Sequence, residues 1–120
     1  MRHCLIALLA LPLLARAAPA QDQWFTVLLD GRKIGSFESK REVRDAQVIT
    51  LQKLDMTLDR AGSRVALSNA ETSIETADGT PLAFRSVSKL SGSQTTIQGT
   101  VHGDTIDIAI QRNPLIFIFF

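Results

Sequence analysis

From residue 24 onward, apolar and polar side chains alternate with a period of two, the signature of strands whose side chains point to opposite faces in turn. Residues 36–44 carry it most clearly. Glu38, Lys40, Glu42 and Arg44 form one row of alternating sign, with Phe37 and Val43 on the other side. Leu82, Phe84 and Leu90 share a parity, as do Ile97 and Val101, and then Ile106, Ile108 and Ile110. Turn chemistry separates these runs, at Asp30-Gly31, Ala61-Gly62, Asp78-Gly79, Ser91-Gly92-Ser93 and His102-Gly103-Asp104. The pattern predicts seven strands, at 24–30, 33–45, 48–60, 64–77, 81–90, 94–101 and 105–112, joined in sequential hairpins. No helical period of useful length appears. The fold class expected is all-β: an antiparallel meander of about seven long strands, forming a curved sheet or half-barrel.

The third and fourth strands refine that picture. Ile49 and Leu51 are odd-numbered, whereas Leu54, Met56 and Leu58 are even-numbered. The fourth strand begins odd at Val65 and Leu67 and turns even at Ala70 and Ile74. Folding the two about Ala61-Gly62 pairs Leu58 with Val65, Met56 with Leu67 and Ile49 with Ile74. The parity change then falls at one height, near Gln52-Lys53 and Asn69-Ala70. A shared change predicts strong local twist or paired bulges there, and long bent strands curl more readily than they lie flat.

The ends of the chain differ from this middle. Residues 1–20 begin basic at Arg2, run apolar from Cys4 to Ala15, and reach small residues at Ala18-Pro19-Ala20. That order matches a secretory signal cut after Ala20, and its apolar run is shorter than the ~20 residues of a membrane span. Export across the inner membrane to a bacterial periplasm is the expected location. The single cysteine, Cys4, would leave with the signal, so the mature chain would hold no thiol; export without disulfides suits the periplasm better than a small stapled extracellular domain. At the other end, Leu115–Phe120 contains no polar residue. Residues 113–120 read as an apolar tail, a truncated or frameshifted end beyond a single β domain at 21–112.

Composition excludes more than it identifies. The whole chain has 13 basic and 12 acidic residues; without Arg2 and Arg16 the mature chain is balanced to within one charge. No basic stripe or aromatic stacking platform marks a nucleic-acid partner, and no membrane span is expected in the mature chain. His102 sits beside Asp104 with Asp107 nearby, too few ligands for an ordinary zinc site and without a nucleophile elbow for a triad. Glu71 and Glu75 share a strand face about 13 Å apart by strand rise, too far for the usual glycosidase pair. Phosphate loops and dinucleotide fingerprints are absent. Catalytic, cofactor-binding and metal-binding residues are therefore not expected. The candidate site is an apolar ligand face formed by Phe37, Leu58, Val65, Phe84 and Ile108.

Three stretches carry a family resemblance: "WFTVLLDGRKIGSFESKREV", "SIETADGTPLAFRSVSKLSG" and "TTIQGTVHGDTIDIAI". Together they resemble the non-catalytic N-terminal β domain of bacterial secreted transglutaminase-like proteins. The matching positions are Trp24, Gly31, Ile34, Gly35, Gly79, Pro81, Leu82, Phe84, Gly103 and Asp104. The resemblance implies a lead-in domain without chemistry of its own, since that family's papain-like Cys-His-Asp site lies C-terminal of the matched segment. Three readings stay open: an accessory domain for a transglutaminase-like catalytic domain absent from this chain, a half-barrel binding an acyl chain or apolar peptide, and a truncated product without independent function.

Overall fold

The structure is a computed structural model and describes residues 21–113. The expectations for the leader at 1–20 and for the tail from Pro114 lie outside the described residues. Seven strands follow one another: β1 (Gln21–Leu29), β2 (Arg32–Arg44), β3 (Gln47–Arg60), β4 (Ser63–Thr76), β5 (Pro81–Leu90), β6 (Ser93–His102) and β7 (Thr105–Asn113). They form a single antiparallel sheet in the order β1-β2-β3-β4-β5-β6-β7, an all-β meander with β1 and β7 at its two edges. The sheet stays open, since β1 and β7 pair only with their sequence neighbours. All seven predicted strands are present, with ends shifted by up to three residues.

Tight turns explain the regularity of this order. Leu29–Arg32, Arg44–Gln47, Arg60–Ser63 and Leu90–Ser93 each enclose two residues. Both enclosed residues have positive φ in all four, at Asp30-Gly31, Asp45-Ala46, Ala61-Gly62 and Ser91-Gly92. That is the type I′ arrangement, whose twist matches that of the strands it joins. The longer connection between β4 and β5 is tied by its own side chains. Asp78 accepts hydrogen bonds from Thr76 Oγ1, from the Thr80 amide at 3.4 Å and from Thr80 Oγ1 at 3.2 Å.

Register is unbroken along all of β3 and β4, and the predicted partners Leu58–Val65, Met56–Leu67 and Ile49–Ile74 stand opposite each other. The expectation of paired bulges near Gln52-Lys53 and Asn69-Ala70 is corrected by this ladder. The pleat runs straight through, so the change of parity places apolar residues on opposite faces instead of re-aiming the strands. Irregularities lie elsewhere, between Val27 and Leu28 in β1 and between Ile74 and Glu75 in β4.

Among the described residues no second layer covers the sheet. Tertiary contacts are concentrated between adjacent strands, and no side chain among the described residues is fully buried. Val48, 3% exposed, is the one buried apolar side chain among the described residues. A one-layer sheet buries side chains only against lateral neighbours, which explains why most apolar residues here are half-buried at best.

Candidate functional site

Chaining the strand registers gives two faces. On the Phe37 face, one row crosses all seven strands as Phe25, Phe37, Leu54, Asn69, Ser88, Thr95 and Arg112. It is apolar over β1–β3 and polar beyond. The row toward the β3–β4 turn reads Val27, Gly35, Met56, Leu67, Leu90 and Ser93, apolar as far as β5. Moving the other way, the next row reads Gln23, Ser39, Gln52, Glu71, Ser86, Ile97 and Ile110, apolar only at β6 and β7. The row after it ends in Phe84, Gly99 and Ile108.

Two apolar corners therefore occupy one face, separated by a diagonal polar band. The β1–β4 corner holds Phe25 and Phe37, whose ring centroids are 5.8 Å apart and tilted by 42°, with Leu54, Met56, Leu58, Val65 and Leu67 beside them. The β5–β7 corner holds Phe84, Ile97, Ile106, Ile108 and Ile110. Within the band the Asn69 amide donates to Glu71 Oε1 at 3.0 Å, while its carbonyl accepts from Ser88 Oγ at 2.9 Å and Ser86 Oγ at 3.3 Å. A hollow of about 440 Å³ lies in this band, with Gln52, Glu71, Ser73 and Ser86 in its lining and Phe84 and Ile97 on one side.

The five residues predicted as a ligand face all lie on the Phe37 face, but not together. Phe37, Leu58 and Val65 belong to the β1–β4 corner, whereas Phe84 and Ile108 belong to the other. Phe37, Leu58, Val65 and Phe84 are half-buried and Ile108 is 57% exposed. Sequence reasoning missed Gly99 and the band itself. A Cβ on Gly99 would run into the ring of Phe84, its direct cross-strand neighbour. The ring thus covers the glycine and flattens over β6, a pairing that supplies apolar cover where the strand lacks a side chain.

The opposite face carries the charged row in the predicted alternation. Lys40 Nζ lies 2.6 Å from Glu38 Oε1, and Arg44 lies 3.1 Å from Glu42. Lys40 also stands 6.0 Å from the centre of the Trp24 ring, and its pKa is raised, first by its hydrogen bond to Glu38 and then by that carboxylate's charge. His102 Nε2 sits 3.3 Å from Asp107, both well exposed. Among the described residues no group of three or more metal-type ligands comes together. No described helix is long and apolar enough to cross a membrane.

Gly31, Gly35, Gly79 and Gly103 have conformational roles. Gly31, Gly79 and Gly103 have positive φ. Gly35 lies in the ladder beside the β1 irregularity, where a Cβ would collide with the carbonyl oxygen of Asp55 and approach Met56 Cα to 2.9 Å. Comparison with protein-family models, curated proteins and solved structures gives no match to this chain.

Proposed function

We propose that this chain is an exported, non-catalytic β-sheet docking domain, acting in the periplasm as the lead-in to a transglutaminase-like catalytic domain. The observation that carries this reading is the uncovered β1–β4 corner of the Phe37 face. A single layer leaves Phe25 exposed and Phe37, Leu54, Met56 and Leu58 partly open beside it, and contiguous apolar surface of this kind marks an interaction site. The resemblance of the turn and packing residues supplies the class of partner. The domain's contribution is to position that partner, with the catalytic thiol carried elsewhere.

The acyl-carrier reading fares worse on this geometry. An alkyl chain laid along the face would cross Gln52, Asn69, Glu71 and Ser86, and stripping a carboxylate of water against hydrocarbon is strongly unfavourable. Protein surfaces tolerate such a band because they bring hydrogen-bonding groups of their own.

A titration with two arms tests the proposal. The full chain is mixed with a purified transglutaminase-like catalytic domain in one arm and with a fluorescent fatty acid in the other, both read by calorimetry. Saturable binding of the catalytic domain, lost in Phe37→Asp, is the expected result. One-to-one binding of the fatty acid without binding of the catalytic domain would overturn it.

A further inference from the structure

The two edges of the sheet are not equivalent. Edge strands expose unpaired backbone donors and acceptors and are commonly blunted by bulges, charges or proline. On β1 the register breaks between Val27 and Leu28, which bends that edge out of line. Along β7 the pairing with β6 is continuous from Thr105 to Asn113. Its outward rim is regular, and Ile106, Ile108 and Ile110 beside it are 53%, 57% and 61% exposed. Asp107, the one charge between Thr105 and Gln111, lies on the opposite face, 3.3 Å from His102.

We propose that β7 pairs antiparallel with β7 of a second copy about a two-fold axis at Ile108, joining two sheets into one. This register matches like with like: Ile108 faces Ile108 of the second copy, and Ile106 faces Ile110 in both directions. On the other face Asp107 stands opposite Ala109, and Thr105 opposite Gln111. One step past the strand, Asp104 of each copy meets Arg112 of the other, two opposite-charge pairs created by the symmetry. Neither side chain forms an ion pair within its own chain among the described residues.

Neighbouring registers are poorer. An axis at Asp107 sets two carboxylates directly opposite each other, which is destabilising across a strand pair. With the axis at Ala109, Ile108 and Ile110 still face each other, but Ile106 is set opposite Arg112, so one of the three isoleucines loses its apolar partner and the Asp104–Arg112 pairs are lost. The self-complementary register also satisfies the isologous rule, in which one patch serves both copies. Because it uses the β5–β7 corner and its edge, it leaves the β1–β4 corner open.

Sedimentation of the full chain measures the association, and charge exchange tests the register. Arg112→Asp should weaken the dimer about tenfold or more, and Asp104→Arg combined with Arg112→Asp should restore it. In a Cys4→Ser background, Ile108→Cys should cross-link to itself with a short thiol reagent. Ile106→Cys, four residues from its symmetry mate, should do so only when mixed with Ile110→Cys. A monomer at all concentrations, head-to-tail polymers, no restoration by the double exchange, or equal cross-linking of Ile106→Cys and Ile108→Cys would each overturn the proposal.

Discussion

The two apolar corners of the Phe37 face are built from similar residues and differ in what surrounds them. Leu54 on β3 has Phe37 on one side and Asn69 on the other, and it is half-buried. Ile108 on β7 has Gly99 on one side and, among the described residues, no strand on the other, and 57% of it remains exposed. Lateral neighbours are the only cover available in one layer, so a side chain on a central strand gains part of what a core would give and one on an edge strand gains little. Stability in such a sheet rests on its backbone ladder and cross-strand side-chain pairs. Apolar surface left over is then free for partners.

The sharpest way to break the better-covered corner is through the ladder itself. At Gly35 a new Cβ meets the main-chain oxygen of Asp55, an atom that cannot swing aside as the tip of a side chain can. Gly35→Ala should therefore cost about 3 kcal/mol, the upper end for overpacking, read as a fall in the urea midpoint. Retention of the parent midpoint would show that β2 can slide past β3 without loss.

Side-chain truncation then measures the corners against each other. Leu54→Ala should cost about 2 kcal/mol, the low end of the range for a core leucine, because the side chain is only partly covered. Ile108→Ser, measured below the concentration at which copies associate, should change stability by less than about 0.5 kcal/mol. Equal costs at the two positions would mean that lateral cover does not set the difference.

Much of this architecture was legible before any coordinates. Period-two runs and glycine-bearing turns were sufficient for seven strands, their order and the Leu58–Val65 register, because each of those depends on local sequence. Asp45-Ala46 was harder to read as a turn, since an I′ turn without glycine lacks the usual cue. The diagonal band was out of reach for a different reason. Asn69 and Ser88 become neighbours of Phe37 and Leu54 only when the registers of several hairpins are multiplied together, and the breaks at Val27 and Ile74 are marked only across the ladder, by Gly35 and Pro81 on the neighbouring strands. The apolar ligand face was thus assembled from correct faces but mixed two corners. Parity tells which side of a sheet a residue is on and not how far along it lies.

The smallest expected effect concerns the β4–β5 connection, which borders the β5–β7 corner through Pro81 and Leu82. Asp78 has its pKa lowered from 3.8, first by the hydrogen bond from Thr76, then by the backbone and side chain of Thr80. A carboxyl depressed in the folded state adds stability above its unfolded pKa, and that increment disappears as pH falls through the folded value. The parent chain should accordingly lose a small part of its stability between about pH 4 and the lower folded pKa, and Asp78→Asn should not. Because the group is exposed, water screens most of the effect, so the readout is a narrowing melting-temperature gap between parent and Asp78→Asn in acid. The corner comparison makes this informative. If the connection only closes a turn, the gap narrows while amide exchange in β6 and β7 stays constant. Faster exchange confined to β5–β7 in acid would instead place Asp78 among the supports of the weaker corner.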